Sequence, residues 1–170
     1  MQVTLTGVVD GAGAAELWPV YDAVLGDQPD LDTWRASVWD RHVAREGFRL
    51  ARASSTGDLV GFAYGYTGER GQWWSDRAVE VLPDDVAAEW IGGHFEVVSI
   101  GVLAAARGRG LGQRLMTALT AGLPHERLVL MTTADAADPA RRLYARLGWE
   151  VLGPGLRDDQ VIMGRRRSVE

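Results

Sequence analysis

The stretch that most narrows what this chain can fold into runs from His94 to Gly122, HFEVVSIGVLAAARGRGLGQRLMTALTAG. Phe95 to Leu103 is apolar and rich in β-branched residues, which suits a buried central strand, and it ends at a turn of small residues, arginine and glycine. Beyond the turn, Leu111, Leu115, Met116 and Leu119 recur at helical spacing, so the unit reads strand, glycine-rich turn, helix. Arg107-Gly108-Arg109-Gly110-Leu111-Gly112 gathers backbone N–H groups and the positive end of a helix dipole at one point, where glycines let a phosphate approach the backbone. Arg107 and Arg109 add forked cationic donors. A P-loop is disfavoured, since no lysine follows Gly112, and the order R-x-x-G-x-G is not the G-x-G-x-x-G of a dinucleotide fold.

At 170 residues the chain fits one domain, 1–170, able to bury roughly 70% of its unfolded surface. With no cysteine, and with His42, His94 and His125 scattered without ligand spacing, neither disulfides nor a metal site is expected. No leader pattern and no membrane-length apolar run stand out, so a soluble, cytoplasmic protein is expected, with no membrane partner. The net charge of −5 argues against a nucleic-acid partner, which would call for a basic face.

From the start, Val3 to Val9 alternates as a first strand and ends at Asp10-Gly11. Two helices follow. Ala14 to Leu25 carries Leu17, Tyr21 and Val24 on one face; Leu31 to Arg45 carries Trp34, Val38 and His42 or Val43, with Gly26-Asp27-Gln28-Pro29 between them. Their aromatic residues read as core, or as one wall of an acceptor pocket. Phe48 to Ala53 and Leu59 to Thr67 read as a hairpin around Ser54 to Asp58, with Phe62, Tyr64 and Tyr66 on one face.

From Gly68 to Gly93 the chain leaves the sheet in an excursion longer than ordinary loops, with a helix-like run from Ala78 to Trp90 interrupted at Pro83. Trp73 and Trp74, with Glu69, Glu80 and Glu89 near in sequence, suit an aromatic and acidic wall for an amine. They suit equally a pin onto the sheet or a contact in a homodimer. Arg127 to Thr133 reads as a strand, and Asp138-Pro139 as the N-cap and first position of a helix closed by Gly148. Trp149 to Leu152 and Gln160 to Met163 read as two last strands around Gly153-Pro154-Gly155, and Arg165-Arg166-Arg167 as a solvated tail.

Arg107-x-x-Gly110-x-Gly112 between strand and helix, followed by Asp138-Pro139-Ala140-Arg141-Arg142-Leu143-Tyr144-Ala145-Arg146-Leu147-Gly148-Trp149, resembles the GCN5-related N-acetyltransferase (GNAT) family over about residues 94 to 153. The resemblance implies an α/β (α+β) fold whose mixed central sheet of about six to seven strands, flanked by helices, splays at its central strand. It implies that the pantetheine arm of acetyl-CoA, the cosubstrate, pairs with backbone at Ile100, Gly101 and Val102. The pyrophosphate would lie on Arg107, Gly108, Arg109, Gly110, Leu111, Gly112 and Gln113.

The same resemblance implies a general base at Glu96 and an acid, or sulfur hydrogen-bond donor, at Tyr144. Burial on an apolar strand would make Glu96 a stronger base, while a strand-end carboxylate paired with arginine is the other reading. A phenol stays protonated at neutral pH and can donate to a departing thiolate. Asp138 stands where many relatives carry Asn, so a cofactor contact and a plain N-cap are both open there. The implied activity is transfer of an acetyl or other acyl group to a primary amine, of a small molecule or a peptide, by direct attack in a ternary complex. A non-catalytic acyl-CoA-binding sensor or scaffold is the alternative from another class.

Overall fold

Local sequence decides most of the elements in the computed structural model, which describes residues 2–6 and 11–167. Strand β1 (Gln2–Thr6) opens the chain; the expected continuation to Val9 and the turn at Asp10 lie outside the described residues. Helix α1 (Gly11–Val24) follows, then a continuous helical run, α2 (31–43). Asp30 caps α2 by accepting from Thr33 N–H at 2.7 Å. Strands β2 (Arg49–Ser55) and β3 (Asp58–Gly68) join through Thr56 and Gly57, whose φ values of 52° and 94° make the two-residue turn that matches strand twist.

The excursion forms two helices, α3 (Trp73–Val81) and α4 (Asp84–Trp90), because Pro83 lacks the N–H that a continuous helix would use. Then come β4 (His94–Val102), α5 (Leu111–Thr120), β5 (Arg127–Thr133), α6 (Pro139–Arg146), β6 (Glu150–Pro154) and β7 (Gln160–Arg166). Gly153 and Pro154, expected in a turn, instead end β6. The described strands form a mixed seven-stranded sheet ordered β1-β2-β3-β4-β5-β7-β6. Strands β4 and β5 run parallel and, among the described residues, register at Phe95 with Leu128 and Glu96 with Val129.

The chain divides into two compact units, Met1–Tyr66 with Val98–Gly122, and Thr67–Val97 with Leu123–Glu170. The first is built on aromatic packing: Tyr21, Trp34, Trp39, Phe48, Phe62, Tyr64 and Tyr66 share one buried cluster. Trp39 was not expected on that face. A π-helical turn at Arg35–Trp39, closed by Asp40 N–H on the Arg35 carbonyl, puts Trp34 and Trp39 five residues apart on one side, their rings 5.0 Å apart. Gly101 is pinched in this unit, since a Cβ there would come within 2.9 Å of Phe62 and of Val24.

The second unit holds the excursion through guanidinium groups. Arg70 donates to the Ile91 carbonyl at 3.2 Å, and Arg127 to the carbonyls of Gly92, at 2.9 Å, and Glu89. These cations sit where the C-terminal end of α4 is negative. Arg166 pairs with Glu89 and lies over the Trp90 ring at 5.0 Å, and the Arg167 N–H donates to the Glu126 carbonyl at 2.8 Å. The expected solvated tail is thus corrected: strand pairing of Arg165 with Leu128 and Arg166 with Arg127 absorbs it.

Arg127→Ala removes both carbonyl contacts, and charged hydrogen bonds of this kind contribute about 2 kcal/mol. The expected outcome is a Tm lower by about 4–8 °C, measured by calorimetry, with Arg127→Lys intermediate.

Candidate functional site

The turn between β4 and α5 begins with a short 3-10 turn, Ala104–Ala106, after which Arg107 donates from Nε to the Val102 carbonyl at 3.1 Å. Gly108 and Gly110 have φ of 74° and 71°, and a Cβ on either would meet nothing within 4 Å. Glycine is therefore used for backbone direction, and the space beside the turn is open. Helix α5 has Gly110 at its N-cap, no side-chain cap and no acidic residue in its first turn. Its first N–H groups, at Leu111, Gly112 and Gln113, have no intrahelical acceptor. Leu111, Leu115, Met116 and Leu119 are buried and fix the helix, while Arg107, Arg109 and Gln113 are exposed. An uncapped helix start with two arginines nearby and no acidic residue in its first turn has the chemistry to receive an anion.

On β4, Ile100 and Val102 are half-buried beside the tightly packed Gly101. Glu96, in the second unit, is 5% exposed, opposite Val129 in the parallel ladder. Tyr144 lies on α6, 5% exposed, with its ring 6.3 Å from that of Trp149. Burial, helped by the charge of Asp138, pushes its phenol up to about 12, so the hydroxyl keeps its proton throughout the neutral range. Asp138 caps α6 as its sequence position suggests, accepting from Ala140 N–H at 2.8 Å and Arg141 N–H at 3.3 Å. That cap fixes the helix bearing Tyr144.

The two tryptophans of the excursion differ in setting. Trp73 is 68% exposed, whereas Trp74 packs against the cluster of Ala78, Leu82 and Trp90, with its ring 6.3 Å from that of His94. Two of the three carboxylates expected beside them are engaged: Glu80 by Arg77 at 2.8 Å, and Glu89 by Arg166. Sequence reading passed over His94. Its imidazole is fully buried and accepts from Gly92 N–H at Nδ1, 3.0 Å away. The signal was there, since His94 and Glu96 stand two residues apart on one strand face. Burial, then the charge of Arg127, holds His94 down at about 3. His42, bonded through Nδ1 to Tyr64 Oη at 2.9 Å, is held down at about 4 by burial and by Arg45 and Arg41. Among the described residues no group of three or more His, Cys, Asp or Glu is placed to hold a metal ion, and no helix is long and apolar enough to cross a membrane.

The sequence profile of the Acetyltransferase (GNAT) family matches residues 14–149. A GCN5-like protein acetyltransferase of Mycobacterium tuberculosis is 31% identical, over 69% of this chain and 71% of that protein. An acetyltransferase of Thermus thermophilus superposes with a TM-score of 0.70 at 15% identity, covering 98% of each chain. The ribosomal-protein-S18-alanine N-acetyltransferase of Escherichia coli gives 0.65 at 17% identity, over 99% of this chain and 96% of its own.

Both shifted histidines stay neutral in the folded protein but protonate near 6.5 when unfolded. Their contribution to stability is complete above pH 6.5 and is lost as pH falls from 6.5 toward 4. Each adds up to about 1.4 kcal/mol per pH unit to that slope. Urea unfolding at pH 7, 6 and 5 is expected to show the decline, and His94→Gln or His42→Gln to remove about half of the histidine part. A slope untouched by both variants would contradict the neutral, buried state.

Proposed function

The chain belongs to the acetyltransferase (GNAT) family, and on that premise we propose that its two units work as one domain transferring an acetyl group from acetyl-CoA to a primary amine. The observation that carries this reading is the open turn at Arg107 to Gly112, with its uncapped helix start and absence of acid. Those amides and the two arginines take the pyrophosphate. The short ladder between β4 and β5 supports a splayed sheet, in which Ile100, Gly101 and Val102 pair with the pantetheine arm.

The reaction is direct attack in a ternary complex. The amine nitrogen attacks the thioester carbonyl after its ammonium proton passes, through a water, to the Glu96 carboxylate. The C–S bond then breaks; Tyr144 gives its proton to the departing thiolate and is restored by the second proton, which the attacking nitrogen loses as it becomes an amide. A buried phenol still protonated well above neutral pH has that proton to give. Asp138 serves by capping the helix that carries Tyr144. The acceptor is a primary amine of a peptide, protein or small molecule, the protein class being supported by the similarity to the mycobacterial protein acetyltransferase. Exposed Trp73, next in sequence to half-buried Trp74, offers an aromatic face to that amine. The reaction runs in the cytoplasm, where acetyl-CoA is available.

The test is release of CoA thiol from acetyl-CoA over a panel of peptide and small-molecule amines. Tyr144→Phe is expected to lower kcat by about 10²-fold with acetyl-CoA affinity near that of the wild type. Equal turnover would remove Tyr144 from the chemistry. Gly110→Asp is tolerated by the backbone, since Asp can adopt the left-handed region and its Cβ meets nothing within 4 Å. It is expected to weaken CoA binding at least about tenfold by setting a carboxylate beside the phosphates. Unchanged affinity would overturn the assignment of the turn.

A further inference from the structure

The start of the excursion and the start of β4 bury three polar atoms that no protein group meets: Gln72 Oε1, Ser75 Oγ and His94 Nε2. Ser75 and His94 are each 0% exposed. The three belong to one neighbourhood. Gln72 is the N-cap residue of α3 and donates from Nε2 to the Thr67 carbonyl at 3.2 Å, while Ser75 follows one turn later. The His94 ring stands over Gly68, where a Cβ would overlap the imidazole, and its centroid lies 6.3 Å from that of Trp74 in the same first turn.

The polarity of the three atoms is complementary. Because Gly92 N–H occupies Nδ1 of a neutral imidazole, the ring carries its proton on Nε2 and is a donor there. Gln72 Oε1 is an acceptor, and the Ser75 hydroxyl is both. A fixed donor, a fixed acceptor and an adaptable hydroxyl are the partners that an internal water requires, since such waters make about three hydrogen bonds. Buried polar atoms without any partner are rare and destabilising, and three in one region would compound that cost.

We propose that Gln72, Ser75 and His94 form an internal water-binding site built by the excursion against β4. Resting on the acetyl-transfer reading, the same site makes His94 a positioning residue for Glu96. The two side chains are two residues apart on one strand face, about 6.6 Å along the strand. A water oriented by the His94 N–H is thereby on the strand face that carries Glu96 and can present its own proton to the carboxylate.

Two measurements on the whole protein test this. Ser75→Ala and Gln72→Met are each expected to lower Tm by a few degrees, and the double variant to lose less than the sum, because either change already releases the shared water. If the atoms are bare, removing the Ser75 hydroxyl relieves it and raises Tm. A raised or unchanged Tm in Ser75→Ala, or strictly additive losses, overturns the water site. For positioning, His94→Leu is expected to lower kcat at least about tenfold with KM for acetyl-CoA unchanged, and His94→Gln, which restores an N–H, to recover part of it. Equal kcat in Leu and Gln variants overturns the positioning role. Wild-type protein that releases no thiol would defeat the acetyl-transfer reading and the positioning role with it, leaving the water site to be decided by the Tm measurements.

Discussion

Strand β4 has to bury two polar side chains, His94 and Glu96, in the middle of a sheet, and much of the second unit answers that constraint. Burying groups of this kind is costly unless the surroundings are fixed around them. The imidazole is kept neutral, with Gly92 N–H on Nδ1 and the bare face of Gly68 against its ring. The chain before β4 cannot then be a loose loop. Arg70 and Arg127 hold the carbonyls of Ala87, Glu89, Ile91 and Gly92, so the segment that leads into His94 is tied on both sides.

The first unit answers a different constraint. Its rings meet in an unbroken series from Trp18 through Tyr21, Trp34 and Trp39 to Tyr64, stacked, tilted or edge-on, with neighbouring centroids between 4.6 and 6.1 Å. Packing of that density leaves room for no side chain at Gly101, which lies between Val24 and Phe62. A rigid strand end follows, and the turn that begins two residues later starts from a defined position, with Arg107 fastened to the Val102 carbonyl. The uncapped start of α5 is the feature on which the acetyl-CoA reading depends, and it is supported from below by buried Leu111 and Leu115.

What the sequence disclosed was local, and what it concealed was long-range. The apolar spacing of α5, the Asp138-Pro139 helix start and the hairpin before Phe62 are each written within a few neighbouring residues, and each is found in the structure. The π-helical turn is invisible to a 3.6-residue period, so Trp39 was not placed on the face that carries Trp34. Arg165 and Arg166 looked like a charged tail because their partners lie far away: Glu89 is separated from Arg166 by 77 positions. Adjacent Trp73 and Trp74 read as a pair, yet successive helical residues point about 100° apart, and one ring meets solvent while the other meets the core.

The central claim is that the turn at Arg107 to Gly112 receives the phosphates of CoA, and thermal denaturation of the purified protein with acetyl-CoA, CoA, ATP and NAD in parallel tests it most directly. A ligand present at 100 times its Kd stabilises a folded protein by about 2.7 kcal/mol, enough to move Tm visibly. The account predicts upward shifts with acetyl-CoA and CoA and little change with ATP or NAD. No shift with either CoA species, or an equal shift with ATP or NAD, would contradict it.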